Sequence, residues 1–243
     1  MRQHSPNGLV DKSSGIGVLD KAMTVLHAVA EKPCNLNDLC ARTSLPRATA
    51  HRLAVGLETH RLLVRDADGL WRTGPGLGEL AASASDALLD AAASVLPRLR
   101  EITGESVQIY RREGTVRVCV ASMEPPTGLR DTVLVGARLP MTAGSGAKVL
   151  LAWADSQTQR TVLPDAEFGE RVLLEVRRRG WAQSAGEREP GVASVAAPVR
   201  DSNDTVVAAI SVSGPIDRIG RKPGARWAAD LLAAADALNK RLR

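Results

Sequence analysis

Aromatic side chains make up only 2% of the 243 residues. That scarcity argues against a surface that works by stacking on unpaired bases. Histidine is sparse and lopsided: His4, His27, His51 and His60, with none after residue 60. Cysteine is limited to Cys34, Cys40 and Cys119. Cys34 and Cys40 lack CxxC spacing and have no histidine close by, so no metal site is expected. An odd cysteine count with no signal-peptide pattern predicts a reducing, cytoplasmic setting. No apolar run reaches about 18 residues, so no membrane span is expected.

What remains is a chain that can fold and carries a basic excess. Apolar residues are 44% and charged residues 24%, an ordinary globular balance. The length fits one large domain or two modest ones. The formal net charge of +5 mildly favours a polyanionic partner. Residues 1–75 carry ten basic side chains against seven acidic ones.

Residues 1–14 read as a disordered arm. From Gly15 the pattern turns helical, with Val18, Ala22, Val25, Leu26 and Val29 on one predicted face. Pro33 ends that helix. "NLNDLCARTSL" predicts a short second helix, capped by Asn35 or Asn37, with Leu36, Leu39 and Cys40 facing inward. Ser44 and Pro46 are expected to open a third. "RLLVRDADGLWRTG" then reads as two short strands around Asp68–Gly69. Three helices followed by a hairpin over 15–75 describe a winged helix-turn-helix.

An Ala/Leu-rich segment follows. Residues 76–87 read as a linker helix with Leu77, Leu80 and Ala84 in one stripe. A second stripe, Leu89, Ala92, Leu96 and Leu99, opens a separate domain over 88–243. There "SVQIYRREGTVRVCVAS" predicts a hairpin turning at Glu113–Gly114. "DTVLVG" predicts a strand, "SGAKVLLAW" and "RVLLEVRRRGW" helices, and "ASVAAPVRDSNDTVVAAISVSGP" two antiparallel strands. Ala225–Leu242 predicts a last helix. Without a βαβ rhythm, this is an α+β arrangement: an antiparallel sheet flanked by helices.

The third helix carries the sharpest local signal. Ala50, Leu53, Ala54 and Leu57 form its buried stripe. Ala48, Arg52, Val55 and Thr59 lie opposite, flanked by Thr49 and His51, with Arg47 in the first turn. No acid intervenes before Glu58. Small residues let a backbone approach a groove, while Arg and Thr can meet phosphate or a base edge. Arg52 alone could equally be a surface cation or pair with Glu58. The helix-helix-helix-hairpin order favours double-stranded DNA. Arg65 and Arg72, on the two hairpin strands, fall where a wing would meet the backbone. The expected DNA-contacting set is Ser44, Pro46, Arg47, Thr49, His51, Arg52, Arg65 and Arg72.

From Gly15 onward the chain resembles the IclR family of bacterial transcription regulators. The resemblance runs through the N-terminal helices, through "GARLPMTAGSGAKVLLAW", and most sharply through "GWAQSAGEREPGVASVAAPVRD". In the last, Gly180, Ser184, Glu187, Ser194, Val195, Ala196, Val199 and Asp201 follow the family pattern. Arg200 departs, where an aromatic or His is usual. "AISVSGP" also matches. "TGESVQIYRREG" and "GLRDTVLVG" are similar to an actinobacterial branch tied to amino-acid metabolism, especially leucine biosynthesis.

The resemblance implies a GAF-like effector domain that binds a small molecule such as a carboxylate or amino acid. Ser145 and Gly146 would offer backbone N–H groups to it. Ser184, Ser194, Ser211 and Ser213 would line the pocket. Ser184 and Ser194 stand where relatives often have Asp and Cys, which changes the pocket's charge. Ser211 and Ser213, two apart on a strand, point the same way. On the residues alone, they could equally be small residues near a strand end.

An enzyme is the rival class. A Ser145–Lys148 dyad at i, i+3 is the one conceivable nucleophile and base. No catalytic residue, metal or cofactor is otherwise indicated, and Cys119 reads as a buried hydrophobe. Dimerisation is expected because one winged helix contacts too few bases to select an operator. The linker-helix stripe would serve as the seam or pack within the subunit. The resemblance adds a tetramer through the effector domains.

Overall fold

The structure is a computed structural model that describes residues 14–83 and 86–242. The predicted arm lies, but for Ser14, outside the described residues. The chain divides into two compact units, meeting in sequence at Ser85 and Asp86.

The first unit holds helices α1 (Gly17–Glu31), α2 (Leu36–Thr43) and α3 (Arg47–Thr59). Strands β1 (Leu63–Arg65) and β2 (Trp71–Thr73) follow, then helix α4 (Pro75–Ser83). The two strands pair antiparallel, Val64 opposite Arg72. Val25, Val29, Leu39, Ala50, Ala54, Leu63 and Trp71 are buried together. Asn35 caps α2, its side chain accepting from the backbone N–H groups of Asn37 and Asp38 at 2.9 and 3.0 Å.

Three expectations need correction here. Val18 is 63% exposed, so the buried face of α1 begins only near Val25. Its N-terminal turns run past the small core. Ser44 does not open α3. It sits in the left-handed region at φ 56° and closes α2, its N–H bonding Cys40 O. Pro46 is the N-cap of α3, with no side-chain cap bond. The hairpin is also longer than the Asp68–Gly69 signal suggests. Asp66 organises a five-residue loop by accepting from the N–H groups of Asp68 and Leu70.

The second unit opens with α5 (Ala87–Thr103) and the hairpin β3 (Ser106–Glu113) and β4 (Val116–Met123). After β5 (Arg138–Pro140) come α6 (Ser145–Ala152), α7 (Ser156–Val162) and α8 (Glu170–Arg179). Strands β6 (Ala182–Ala185), β7 (Val192–Arg200) and β8 (Val206–Pro215) complete the sheet, followed by α9 (Ile216–Ile219) and α10 (Gly224–Asn239). The sheet is six-stranded and antiparallel in the order β5-β4-β3-β8-β7-β6. The fold is mixed helix and sheet, an N-terminal helix-turn-helix unit followed by an α/β unit on an antiparallel sheet.

Strand alternation explains why both faces are covered. Val107, Ile109, Val195, Val199, Ile210 and Val212 point to one face, where α5 and α10 bring Leu88, Leu96, Trp227 and Leu231. The other parity carries Tyr110, Cys119, Ala196 and Ala209 toward α6 and α8. Every residue of α6 is buried. In α5 Ala92, Leu96 and Leu99 are buried as expected, but at the helix start Leu88 is the inward residue and Leu89 is 38% exposed. "DTVLVG" is not a strand. Gly136 turns the chain at φ 88°, and Val133 alone of its apolar side chains is buried.

Asp86 caps α5 through the N–H groups of Leu88 and Leu89 and takes a fork from Arg111 at 2.5 and 2.8 Å. The Arg111 guanidinium beside it holds its carboxyl below the usual carboxylate range. A depressed carboxyl contributes stability that is present above its unfolded value and lost as pH falls through its folded one. Wild type is therefore expected to lose more stability than Asp86→Asn below about pH 4. Denaturant titrations at pH 6 and pH 3 would show parallel losses if this coupling were absent.

Candidate functional site

Two places gather functional side chains, one in each unit. On α3, Ala50 and Ala54 are fully buried and Leu53 and Leu57 pack partly against the same core. That leaves Ala48, His51, Arg52, Val55 and Thr59 exposed, with Thr49 half-buried. The period of 3.6 residues alone decides this division.

The basic residues of the unit differ in how free they are. Arg52 has no hydrogen-bond or ion-pair partner among the described residues, and Glu58 does not take it. Glu58 instead meets Arg65 at 3.5 Å and the Trp71 indole at 3.4 Å. The Arg65 guanidinium also lies 4.3 Å over the Trp71 ring, and His51 meets that ring edge-on. Arg72 is tied to Asp66 at 2.5 Å, and Arg47 to the side chain of Asn37. The ion pairs tie Arg65 to α3 and Arg72 to the hairpin loop while leaving both side chains about half exposed.

The second place is a cavity between α6 and the sheet. Ser145, Gly146, Ser184, Ser194, Ser211 and Ser213 all line it, with Tyr110, Arg117, Asp131 and Arg188. Strand register sets the serines in a row. Ser184 stands opposite Ser194, and Ser194 opposite Ser213, across β6, β7 and β8. Their hydroxyls satisfy one another. Ser145 Oγ donates to Ser194 Oγ at 2.7 Å, and Ser184 and Ser194 lie 3.0 Å apart. Ser213 donates to Gln108 Oε1 at 3.1 Å. The free interior is about 20 Å³, room for about one water.

Small residues make this arrangement possible. Gly144, the N-cap of α6, has φ 96° and a Cβ there would meet Arg117 Nη2 at 3.1 Å. A Cβ on Gly146 would press on the Tyr110 ring at 3.3 Å. Helix α6 thus starts hard against the sheet, with Gly144, Ser145 and Gly146 lining the cavity.

Charged residues that the serine pattern did not flag surround the cavity. Lys148, buried, donates to Gln183 O at 2.9 Å and to the Glu187 carboxylate. Glu187 also accepts from Gly144 N at 3.1 Å. Lys148 and Ser145 share no hydrogen bond, so the conceived dyad is not assembled. Arg188 pairs with Asp131 at 2.8 Å. Arg117 is 3% exposed and donates through Nη1 to Pro140 O and Ala143 O. Burial pulls its pKa down to about 10 and pushes that of Tyr110 up. Burial likewise pushes the Cys119 thiol up to about 11, an inert state. The sequence did hold a signal for Arg117: it sits in "VRVCV" at the same parity as buried Cys119, an inward position on its strand.

No helix among the described residues is long and apolar enough to cross a membrane. The pattern of the IclR helix-turn-helix domain matches residues 18–67, and that of the bacterial transcriptional regulator IclR C-terminal domain matches residues 81–240. The chain is 28% identical to the HTH-type transcriptional regulator BhcR of Paracoccus denitrificans, over 86% of this chain and 81% of that one. It is 25% identical to the transcriptional repressor AllR of Escherichia coli, over 84% and 82%. Among solved structures, an IclR homolog from Microbacterium hydrocarbonoxydans complexed with 4-hydroxybenzoate superposes with TM-score 0.84. It is 26% identical, covering 93% of this chain and 99% of that one. The regulator from Alicyclobacillus acidocaldarius shares the fold at TM-score 0.84 and 24% identity, covering 94% and 99%. These are transcription regulators and not enzymes, and with both halves of the pattern present in order the chain belongs to the IclR family of bacterial transcriptional regulators.

Proposed function

We propose that the chain binds operator DNA through α3 and the β1–β2 hairpin, and that a small carboxylate in the serine-lined cavity controls this binding. The observation that supports it most directly is the cavity wall: five buried serines and the start of α6 directed at one small volume. Hydroxyls and unspent helix N–H groups suit a carboxylate. In this reading Ser145, Gly146, Ser184, Ser194, Ser211 and Ser213 hold the ligand. Arg47, Thr49, His51 and Arg52 face the groove, Ser44 and Pro46 flank the helix start, and Arg65 and Arg72 meet the phosphate backbone. The protein acts in the cytoplasm as a homodimer on paired half-sites, with a tetramer as the next level of assembly.

The resemblance of "TGESVQIYRREG" and its neighbours to the actinobacterial branch supports amino-acid, especially leucine, biosynthesis genes as targets. A second reading, catabolism of an organic acid, is favoured by the 4-hydroxybenzoate bound to the similar homolog. Sequencing genomic fragments retained by the full chain would separate them, because the bound promoters name the pathway. The control step is tested by releasing those fragments with a panel of metabolic acids. If no acid at millimolar concentration changed operator affinity, the ligand-controlled reading would fall.

Arg52→Ala is expected to weaken operator binding about 5- to 150-fold and to lower the salt slope by about one if its contact is to phosphate. Fluorescence anisotropy across a salt series would measure both, with circular dichroism as the fold control. Unchanged affinity would move the reading head elsewhere.

A further inference from the structure

Resting on the ligand-controlled reading above, we propose that Arg117 is an effector-binding residue that admits the ligand only as an anion. Arg117 lies on β4, buried, with its guanidinium against Gly144 and its Cδ beside Gly146 at the start of α6. Two cations line the cavity. Arg188 has Asp131 and Glu189 as partners. Among the described residues Arg117 makes no ion pair: it donates to the neutral Pro140 O and Ala143 O and lies over the Tyr110 ring at 5.4 Å, while Asp131, which favours its charge through space, is paired directly with Arg188. A guanidinium held out of water without an ion-pair partner of its own is costly, and a fixed fork of donors matches a carboxylate.

The unspent groups around it point the same way. Among the described residues, the buried side-chain polar atoms without a partner are Arg117 Nε, Gln108 Nε2, Ser106 Oγ and Ser122 Oγ. Ser106 and Gln108 are on β3, which pairs with β8 and its cavity serines, and Arg117 and Ser122 are on β4, one strand further out; of the four residues, Arg117 lines the cavity itself. Arg Nε and Gln Nε2 can only donate, whereas the two hydroxyls can donate or accept. At the cavity itself the unspent group is thus the Arg117 Nε donor. A group that brings acceptor oxygens and negative charge completes it, whereas an amide or alcohol of the same shape would leave the guanidinium uncompensated. Burial lowers the basicity of Arg117, and the charge of Asp131 offsets this only in part.

The test uses the full chain at constant ionic strength, with formate and acetate as probes against formamide and acetamide. These are the smallest acid and amide pairs, as so small a cavity requires. Melting is followed by tryptophan fluorescence. The two acids are expected to raise the wild-type melting temperature and the two amides to leave it unchanged. Arg117→Met is expected to weaken acetate binding about tenfold or more while melting no lower than wild type without ligand. Arg117→Lys, which keeps the charge and loses the fork, retains an acetate response at reduced affinity. A residue that only braced Pro140 and Ala143 would give lower melting in both variants and an unaltered acetate shift. Equal responses to acid and amide in wild type, or an Arg117→Met chain that answers acetate as wild type does, overturn the proposal. Those results leave the ligand-controlled reading standing if the acid panel still releases operator. An acid panel that releases nothing removes that reading, whatever acetate does to Arg117.

Discussion

Glu187→Ala is expected to destabilise the second unit by about 3–5 kcal/mol. The size follows from what the substitution leaves behind. Lys148 is on α6, a helix buried along its whole length, and its ammonium would keep one neutral partner, Gln183 O at 2.9 Å. An ion without its counter-ion in such a place costs much more than a solvent-exposed pair contributes. Gly144 N would lose its acceptor at the same time, loosening the first turn of α6. Glu187→Gln keeps that acceptor and should fall between the two. Lys148→Met combined with Glu187→Leu should recover most of the loss, because removing both charges removes the desolvation problem. Chemical denaturation of wild type, Lys148→Met, Glu187→Leu and their combination forms the cycle. A single Glu187→Ala variant within about 0.5 kcal/mol of wild type would show that the pair is solvated and structurally idle.

Trp71→Ala should disable the first unit. Trp71 is 2% exposed and is the largest side chain in a core of mostly small residues. Truncating a buried tryptophan costs about 3–5 kcal/mol through lost transfer energy and the cavity left behind. A unit of this size has little stability in reserve. The ring also organises its surroundings. Its backbone bridges to Cys34, and its face and edges receive Arg65, His51 and the Glu58 carboxylate. Operator binding is expected to be lost together with fold. Hydrogen exchange read by mass spectrometry should lose protection in peptides from residues 14–83. Peptides from β3, β7 and β8 should keep theirs, because their core is a separate set of residues. Retained operator affinity in Trp71→Ala would mean that α3 is held without this core.

The helical part of the first unit was open to reading because its signals are local. The 3.6-residue spacing of Ala50, Leu53, Ala54 and Leu57 needs nothing beyond its own helix to divide buried from exposed. The Asn35 cap is equally local. Signals that failed were those whose outcome depends on distant partners. Val18 matches the stripe of α1, yet no element among the described residues covers it. Ser44 precedes a proline like a helix opener, yet the preceding helix claims it. "DTVLVG" has the composition of a strand, yet Gly136 turns it away before a neighbour pairs with it.

The cavity divides along the same line. Alternation on β8 puts Ser211 and Ser213 on one face, and this follows from strand geometry alone. The sequence by itself therefore determined the two-part order, the face of α3 turned outward and the parity of the serines. Only the tertiary structure decided that Ser184, Ser194 and Ser213 fall in one row, since register belongs to paired strands. It also decided that Lys148 meets Glu187 and not Ser145, and that Arg117 is buried while Asp131 pairs with Arg188. Periodicity is a property of one segment, whereas counter-charges and close approach are supplied by residues tens of positions away.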